Sequence, residues 1–242
     1  MTLTVENLTG GYSQLPVLKD ISFEINDGEL VGLIGLNGAG KSTTIKEIIG
    51  LLQPQKGRIA IDDLTLKENP EAYRKKIGYI PESPALYEEL TLREHLEVTA
   101  MAYDLPREIA WQRAEHLLKT FRLENRLDWF PANFSKGMKQ KVMILCAFLI
   151  EPSLYIIDEP FLGLDPLAIH ALLELMKDMK ASGASILMST HVLATAEKYC
   201  DRFIMLHNGE IRAQGTMTEL QQQFSLTDAS LDEIYLALTE EA

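Results

Sequence analysis

Residues Gly35 to Thr43 read Gly-Leu-Asn-Gly-Ala-Gly-Lys-Ser-Thr, which fits the spacing GxxxxGK[ST] at Gly35, Gly40, Lys41 and Ser42. These residue types suit phosphate chemistry. Gly35, Gly38 and Gly40, with Asn37 and Ala39 between them, let backbone N–H groups converge on phosphate oxygens, and the start of a helix adds its dipole. Lys41 would reach the outer phosphates, the Ser42 hydroxyl would help hold Mg²⁺, and Thr43 completes the cradle. A tight turn alone would need glycine, but not Gly-Lys-Ser at a helix start. Further along, Asp158 and Glu159 are adjacent acids behind an apolar run. Asp158 has the place of a metal carboxylate at a strand end, and Glu159, pointing differently, is a candidate general base for an attacking water.

Such groups act together only if strands and helices bring them together. Leu30 to Ile34 is an apolar run before the phosphate loop, and Ile45, Ile48, Ile49 and Leu52 share one helical face after it. Leu154 to Ile157 and Ser185 to Ser189 read as strands buried on both faces. At the start of the chain Leu3 to Leu8 reads as a strand and Thr9-Gly10-Gly11 as a turn; Ile21, Phe23 and Ile25 then alternate with Ser22 and Glu24, so an antiparallel opening sheet is expected. Tyr12 lies on the loop between these strands, where an aromatic by itself is more often a packing residue than a ligand contact. Gly57 to Ile61 and Ile77 to Ile80 are further strands, Asn69-Pro70 is a helix start, and Thr91-Leu92-Arg93-Glu94 fits a capping box. Trp111, Ala114, Leu117, Leu118 and Phe121 fall on one helical face, so residues from about 83 to about 135 form an inserted helical segment. Asp165-Pro166 starts a helix, Asn208-Gly209 marks a hairpin, and Leu231, Ile234, Tyr235 and Leu238 form an amphipathic tail helix.

Composition narrows the function classes. At 242 residues the chain can hold one large domain or one domain with an insertion, and 46% apolar with 24% charged residues is ordinary for a globular protein. A net charge of −12 argues against broad nucleic-acid binding, which relies on cations replacing counterions. The longest apolar run, Val142 to Ile150, is far short of the roughly 18 residues of a membrane span, so any membrane role comes through a partner. The two cysteines, Cys146 and Cys200, have no metal spacing, and the N-terminus lacks a signal-peptide pattern; a reduced cytosolic chain is expected.

Four more pieces carry a family resemblance. Phe134-Ser135-Lys136-Gly137-Met138 followed by Lys139-Gln140 resembles the signature motif of ABC-type ATPases, Gly163-Leu164-Asp165 their D-loop, His191 after Ser189-Thr190 their switch histidine, and Glu82 stands where they have the Q-loop. The chain is thus similar to the nucleotide-binding subunit of an ABC transporter, and in detail to the EcsA-type ATPases. The resemblance implies a P-loop NTPase (RecA-like) α/β core with an antiparallel β subdomain over 1–82 and 136–227, a helical subdomain over 83–135 ending at the signature, and a C-terminal helix over 228–242. It implies ATP closed between the phosphate loop of one copy and Ser135, Gly137 and Asp165 of a second, with Mg²⁺ on Ser42, Asp158 and Glu82. It gives Glu159 and His191 catalytic roles and makes Tyr12 the adenine platform. It further implies an integral membrane partner contacted near Pro84 to Leu90, ATP hydrolysis driving transport with an exporter-like direction, and a peripheral place on the cytoplasmic face of the membrane. Two departures stand out: Glu82 replaces glutamine, and Lys136 and Met138 replace glycine and glutamine. A soluble ABC-type ATPase with a regulatory role is the alternative; substrate and direction belong to another polypeptide.

Overall fold

A computed structural model describes residues 2–12 and 15–240. In chain order the strands are β1 (Leu3–Gly10), β2 (Leu18–Ile25), β3 (Leu30–Ile34), β4 (Lys56–Ile61), β5 (Leu64–Thr65), β6 (Ile77–Ile80), β7 (Leu154–Asp158), β8 (Ser185–Thr190), β9 (Arg202–His207) and β10 (Glu210–Gly215). The α-helices are α1 (Lys41–Ile48), α2 (Pro70–Lys75), α3 (Leu92–Ala102), α4 (Arg107–Phe121), α5 (Lys136–Leu149), α6 (Pro166–Ala181), α7 (Leu193–Tyr199), α8 (Met217–Gln223) and α9 (Leu231–Glu240).

The strands form two sheets. The smaller has the order β2-β1-β4-β5 and is antiparallel. The larger has the order β10-β9-β3-β8-β7-β6, parallel from β9 to β6, with β10 added antiparallel at the edge. Every residue of β3, β7 and β8 is buried, which is why these strands read as continuous apolar runs and not as alternations. The hairpin joining β9 to β10 turns at Asn208 and Gly209, at φ 50° and 82°, the left-handed pair that matches strand twist. The expected turn at Thr9-Gly10 lies instead inside β1, because Thr9 pairs with Lys56 and Gly10 with Leu18; the pairing continues past the apolar residues that marked the strand.

Local capping sets the helix starts. Asn69 Oδ1 accepts the Ala72 N–H at 3.0 Å, and Thr91 and Glu94 close a capping box at the head of α3. Between the sheets, Leu3, Val5, Ile21 and Phe23 pack with Val31, Leu33, Ile45 and Ile156. On the other face, α3, α4 and α5 join α6 around Phe121, Phe148, Leu172 and Tyr155. A third apolar cluster collects α7, α8 and α9 against β9 and Ile34.

Candidate active site

The C-terminal ends of four neighbouring parallel strands meet the candidate residues. In the order β3-β8-β7-β6, the phosphate loop follows β3, His191 follows β8, Asp158 closes β7 and Glu82 follows β6. Register aligns Ile34 with Thr190, Asp158 with Ser189, and Ile80 with Ile157. Open α/β sheets bind ligands at this edge, where loops diverge from a rigid floor.

Adjacent acids there meet different partners. Asp158 and Glu159 are both buried. Burial pushes the Asp158 carboxyl up from its ordinary value; the Ser189 hydroxyl works against this, Glu82 adds to it, and Lys41 and Lys46 oppose it. Ser189 donates its hydroxyl proton to Asp158 Oδ1, and its carbonyl accepts the Glu159 N–H at 3.1 Å. Glu159 has φ 47°, and its Oε2 accepts from His191 Nδ1 at 2.8 Å, so that ring nitrogen carries the proton. His191 itself is more than half exposed while Glu159 is held beneath it. The arrangement is a buried carboxylate, oriented by an exposed imidazole, beside a second carboxylate fixed by a hydroxyl.

The phosphate loop faces this pair. Lys41 is buried and donates from Nζ to the Gly35 carbonyl at 2.7 Å. Gly38 has φ +85° with open space where a Cβ would stand, so the loop exposes its backbone to anything seated on it. Tyr12 is exposed, its hydroxyl accepting from Lys46 Nζ at 2.9 Å.

Ser135 and Gly137 make their contacts elsewhere. Ser135 Oγ accepts the Met138 N–H at 3.3 Å and caps α5, and a Cβ on Gly137 would lie 2.3 Å from the Gly163 carbonyl, so α5 begins hard against the 163–165 loop. Lys141 donates to Asp165 Oδ2 at 2.8 Å, while Asp165 Oδ1 accepts the Ala168 N–H at 2.9 Å. The Lys141 ammonium first, and that amide second, hold the Asp165 carboxyl below its ordinary value.

Comparison with known proteins shows the family. The family pattern described as ABC transporter matches residues 18–162, from β2 through the loop after Glu159. The chain belongs to the ABC transporter ATP-binding family. The ABC-type transporter ATP-binding protein EcsA of Bacillus subtilis (strain 168) is 66% identical over 99% of this chain and 97% of its own. A solved ATP-binding subunit of an ABC transporter superposes with TM-score 0.97 at 62% identity, covering 99% of this chain and 100% of that one. A dimeric ATP-binding cassette solved in a post-hydrolysis state with ADP and Pi gives TM-score 0.80 at 27% identity, over 89% of this chain and 98% of that one. This ABC ATPase accordingly binds and hydrolyses ATP on a P-loop NTPase fold.

The fold gives several residues of this ABC ATPase partners that the sequence does not reveal. Ser189 joins Asp158 to Glu159, and its only sequence signal is a polar residue ending an apolar strand. Gln140 is fully buried and donates to the Pro81 carbonyl at 3.2 Å, linking the signature helix to the Glu82 loop. His95 is buried; its Nε2 accepts the Tyr87 N–H at 3.0 Å and its Nδ1 donates to the Thr91 carbonyl at 2.8 Å. It therefore pins the 83–90 loop to α3.

Proposed function

We propose that this ABC ATPase is the motor of a membrane transporter, two copies closing head to tail over ATP and driving an integral membrane partner. The observation that carries the reading is the division of the site: Lys41, Asp158, Glu159 and His191 gather at the C-terminal end of one sheet, while Gly137, two residues after Ser135 at the start of α5, sits against the 163–165 loop. A second copy would bring its Ser135, Gly137 and Asp165 to the phosphate loop, and the dimeric state of the solved relative supports that arrangement.

In this reading Tyr12 stacks on adenine and the amides from Gly35 to Thr43 receive the phosphates. Lys41 exchanges the Gly35 carbonyl for phosphate oxygen. Ser42, Asp158 and Glu82 offer hydroxyl and carboxylate oxygens, the hard donor set that suits Mg²⁺, and a cation beside Asp158 would offset the burial that raises its carboxyl. When bound, Mg²⁺ neutralises charge developing on the phosphates. Glu159 takes the proton of the attacking water, held in place by His191 Nδ1. His191 Nδ1 holds Glu159 on one side, which leaves the other ring nitrogen for the γ-phosphate.

Among the described residues no helix is long and apolar enough to cross a membrane. In this reading the chain lies on the cytoplasmic face, held by its membrane subunit near Pro84 to Leu90, with 83–135 as the arm that carries motion to it. The exporter-like direction rests on Glu82 and the Ser135-Lys136-Gly137-Met138 variant. Affinity purification of a Glu159→Gln variant from detergent-solubilised cells in ATP tests the proposal. One multispanning protein is the expected companion; recovery of soluble partners only, with membrane proteins demonstrably solubilised, would replace the transporter by the regulatory ATPase.

A further inference from the structure

The Gly35–Leu36 peptide is gripped at both ends. Its carbonyl accepts from Lys41 Nζ at 2.7 Å, and its N–H, on Leu36, donates to the Tyr235 hydroxyl at 2.8 Å. Tyr235 arrives from α9, 199 residues away in sequence, and its ring is buried among Ile34, Met205, Ile234 and Leu238. The start of the same helix is tied to α7, because the Leu231 N–H donates to Glu197 Oε2 at 2.8 Å. α9 is thus fastened to the helix after His191 and to the loop before Lys41.

We propose that Tyr235 is a positioning residue of the phosphate loop: its hydroxyl fixes the 35–36 peptide so that the Gly35 carbonyl faces Lys41. A peptide unit is planar, so turning its N–H away from Tyr235 also turns its carbonyl away from Lys41. A hydroxyl accepting the N–H polarises the unit and strengthens the carbonyl as an acceptor. Once Lys41 moves to phosphate, the bond to Tyr235 still holds the loop open at its first turn. The cost of disorder there falls on nucleotide affinity and not on the hydrolytic step, since Tyr235 touches neither Glu159 nor His191.

The test uses the full chain. Tyr235→Phe keeps the ring and removes the oxygen. Expected are a rise of about 10-fold in the ATP dissociation constant, equivalent to about 1.4 kcal/mol or one hydrogen bond, and turnover at saturating ATP within about two-fold. Exchange of the Leu36 amide, read by NMR, should quicken by about the same factor while the melting temperature stays within a few degrees. Leu220→Ala, which opens a cavity on α8 and leaves the Tyr235 helix and its hydroxyl in place, should lower the melting temperature and leave Leu36 exchange unchanged. Unchanged Leu36 exchange and ATP affinity in Tyr235→Phe would overturn the proposal, as would the same affinity loss in Leu220→Ala. This role of Tyr235 rests on the proposed use of Lys41 as a phosphate ligand; wild-type ATP affinity in Lys41→Ala would overturn that reading separately, with Leu36 exchange still deciding the role of Tyr235.

Discussion

At the residue scale, Glu159 and His191 make the sharpest kinetic expectation. A carboxylate acting as general base contributes about 10² to 10⁴ in rate, so Glu159→Gln should lower turnover by that range while equilibrium ATP binding persists. Equal loss of binding and turnover would make Glu159 a structural acid. Glu47 carries a different expectation, in stability. It is 2% exposed on α1, neither carboxylate oxygen has a hydrogen-bond partner of good geometry, and a Cβ on Gly10 would lie 2.0 Å from Oε1. Burial pushes its carboxyl from 4.5 to about 7, with the Gly11 amide offsetting only part. The folded chain therefore keeps a proton that the unfolded chain releases between those values. Stability from this group is fully present below pH 4.5 and falls as pH rises towards about 7, by at most about 3 kcal/mol. Urea unfolding between pH 5 and 8 should show that decline in the wild type and a flatter profile in Glu47→Gln; parallel profiles would mean that Glu47 is ionised in the fold.

At the element scale, the start of α5 sets two effects against each other. Replacing a helical glycine by alanine ordinarily gains up to about 1 kcal/mol of helix propensity. At Gly137 the added carbon would stand 2.3 Å from the Gly163 carbonyl, and overpacking of that kind costs about 1 to 3 kcal/mol. The clash wins. Gly137→Ala should lower the denaturant midpoint and, by displacing the Asp165 loop, reduce ATPase activity; a more stable variant would mean that α5 can move freely. The same scale explains His95, whose two ring nitrogens join the 83–90 loop to α3 across a span that helical periodicity does not describe.

At the scale of the whole molecule, the divided site predicts assembly that depends on nucleotide. Light scattering of Glu159→Gln should show conversion to a dimer when ATP and Mg²⁺ are added, and return to the starting mass when nucleotide is removed. A second substitution, Ser135→Arg, should block that conversion while each copy retains most of its own ATP affinity. A chain that stays monomeric at saturating ATP would sink the head-to-tail reading. The apolar runs of β3, β7 and β8, the capping at Thr91 and Asp165, and the hairpin at Asn208-Gly209 were legible beforehand, since each is written in neighbouring residues. The end of β1 was not, because Thr9 and Gly10 are held in the strand by partners at Lys56 and Leu18.

What the sequence determined by itself is the chemistry that contiguous residues carry: a glycine-rich cradle ending in Lys41 and Ser42, and the Asp158-Glu159 pair behind a buried strand. Their order and spacing also determined the family, since the resemblance spans nearly the whole chain. Tertiary structure alone decided which distant groups complete them. Glu159 meets His191 across 32 residues, Asp158 meets Ser189 across 31, and Leu36 meets Tyr235 across 199. The physical reason is that periodicity records only whether a residue faces inward. Which inward-facing groups then touch is settled by strand order, register and the close packing of helices over the sheet.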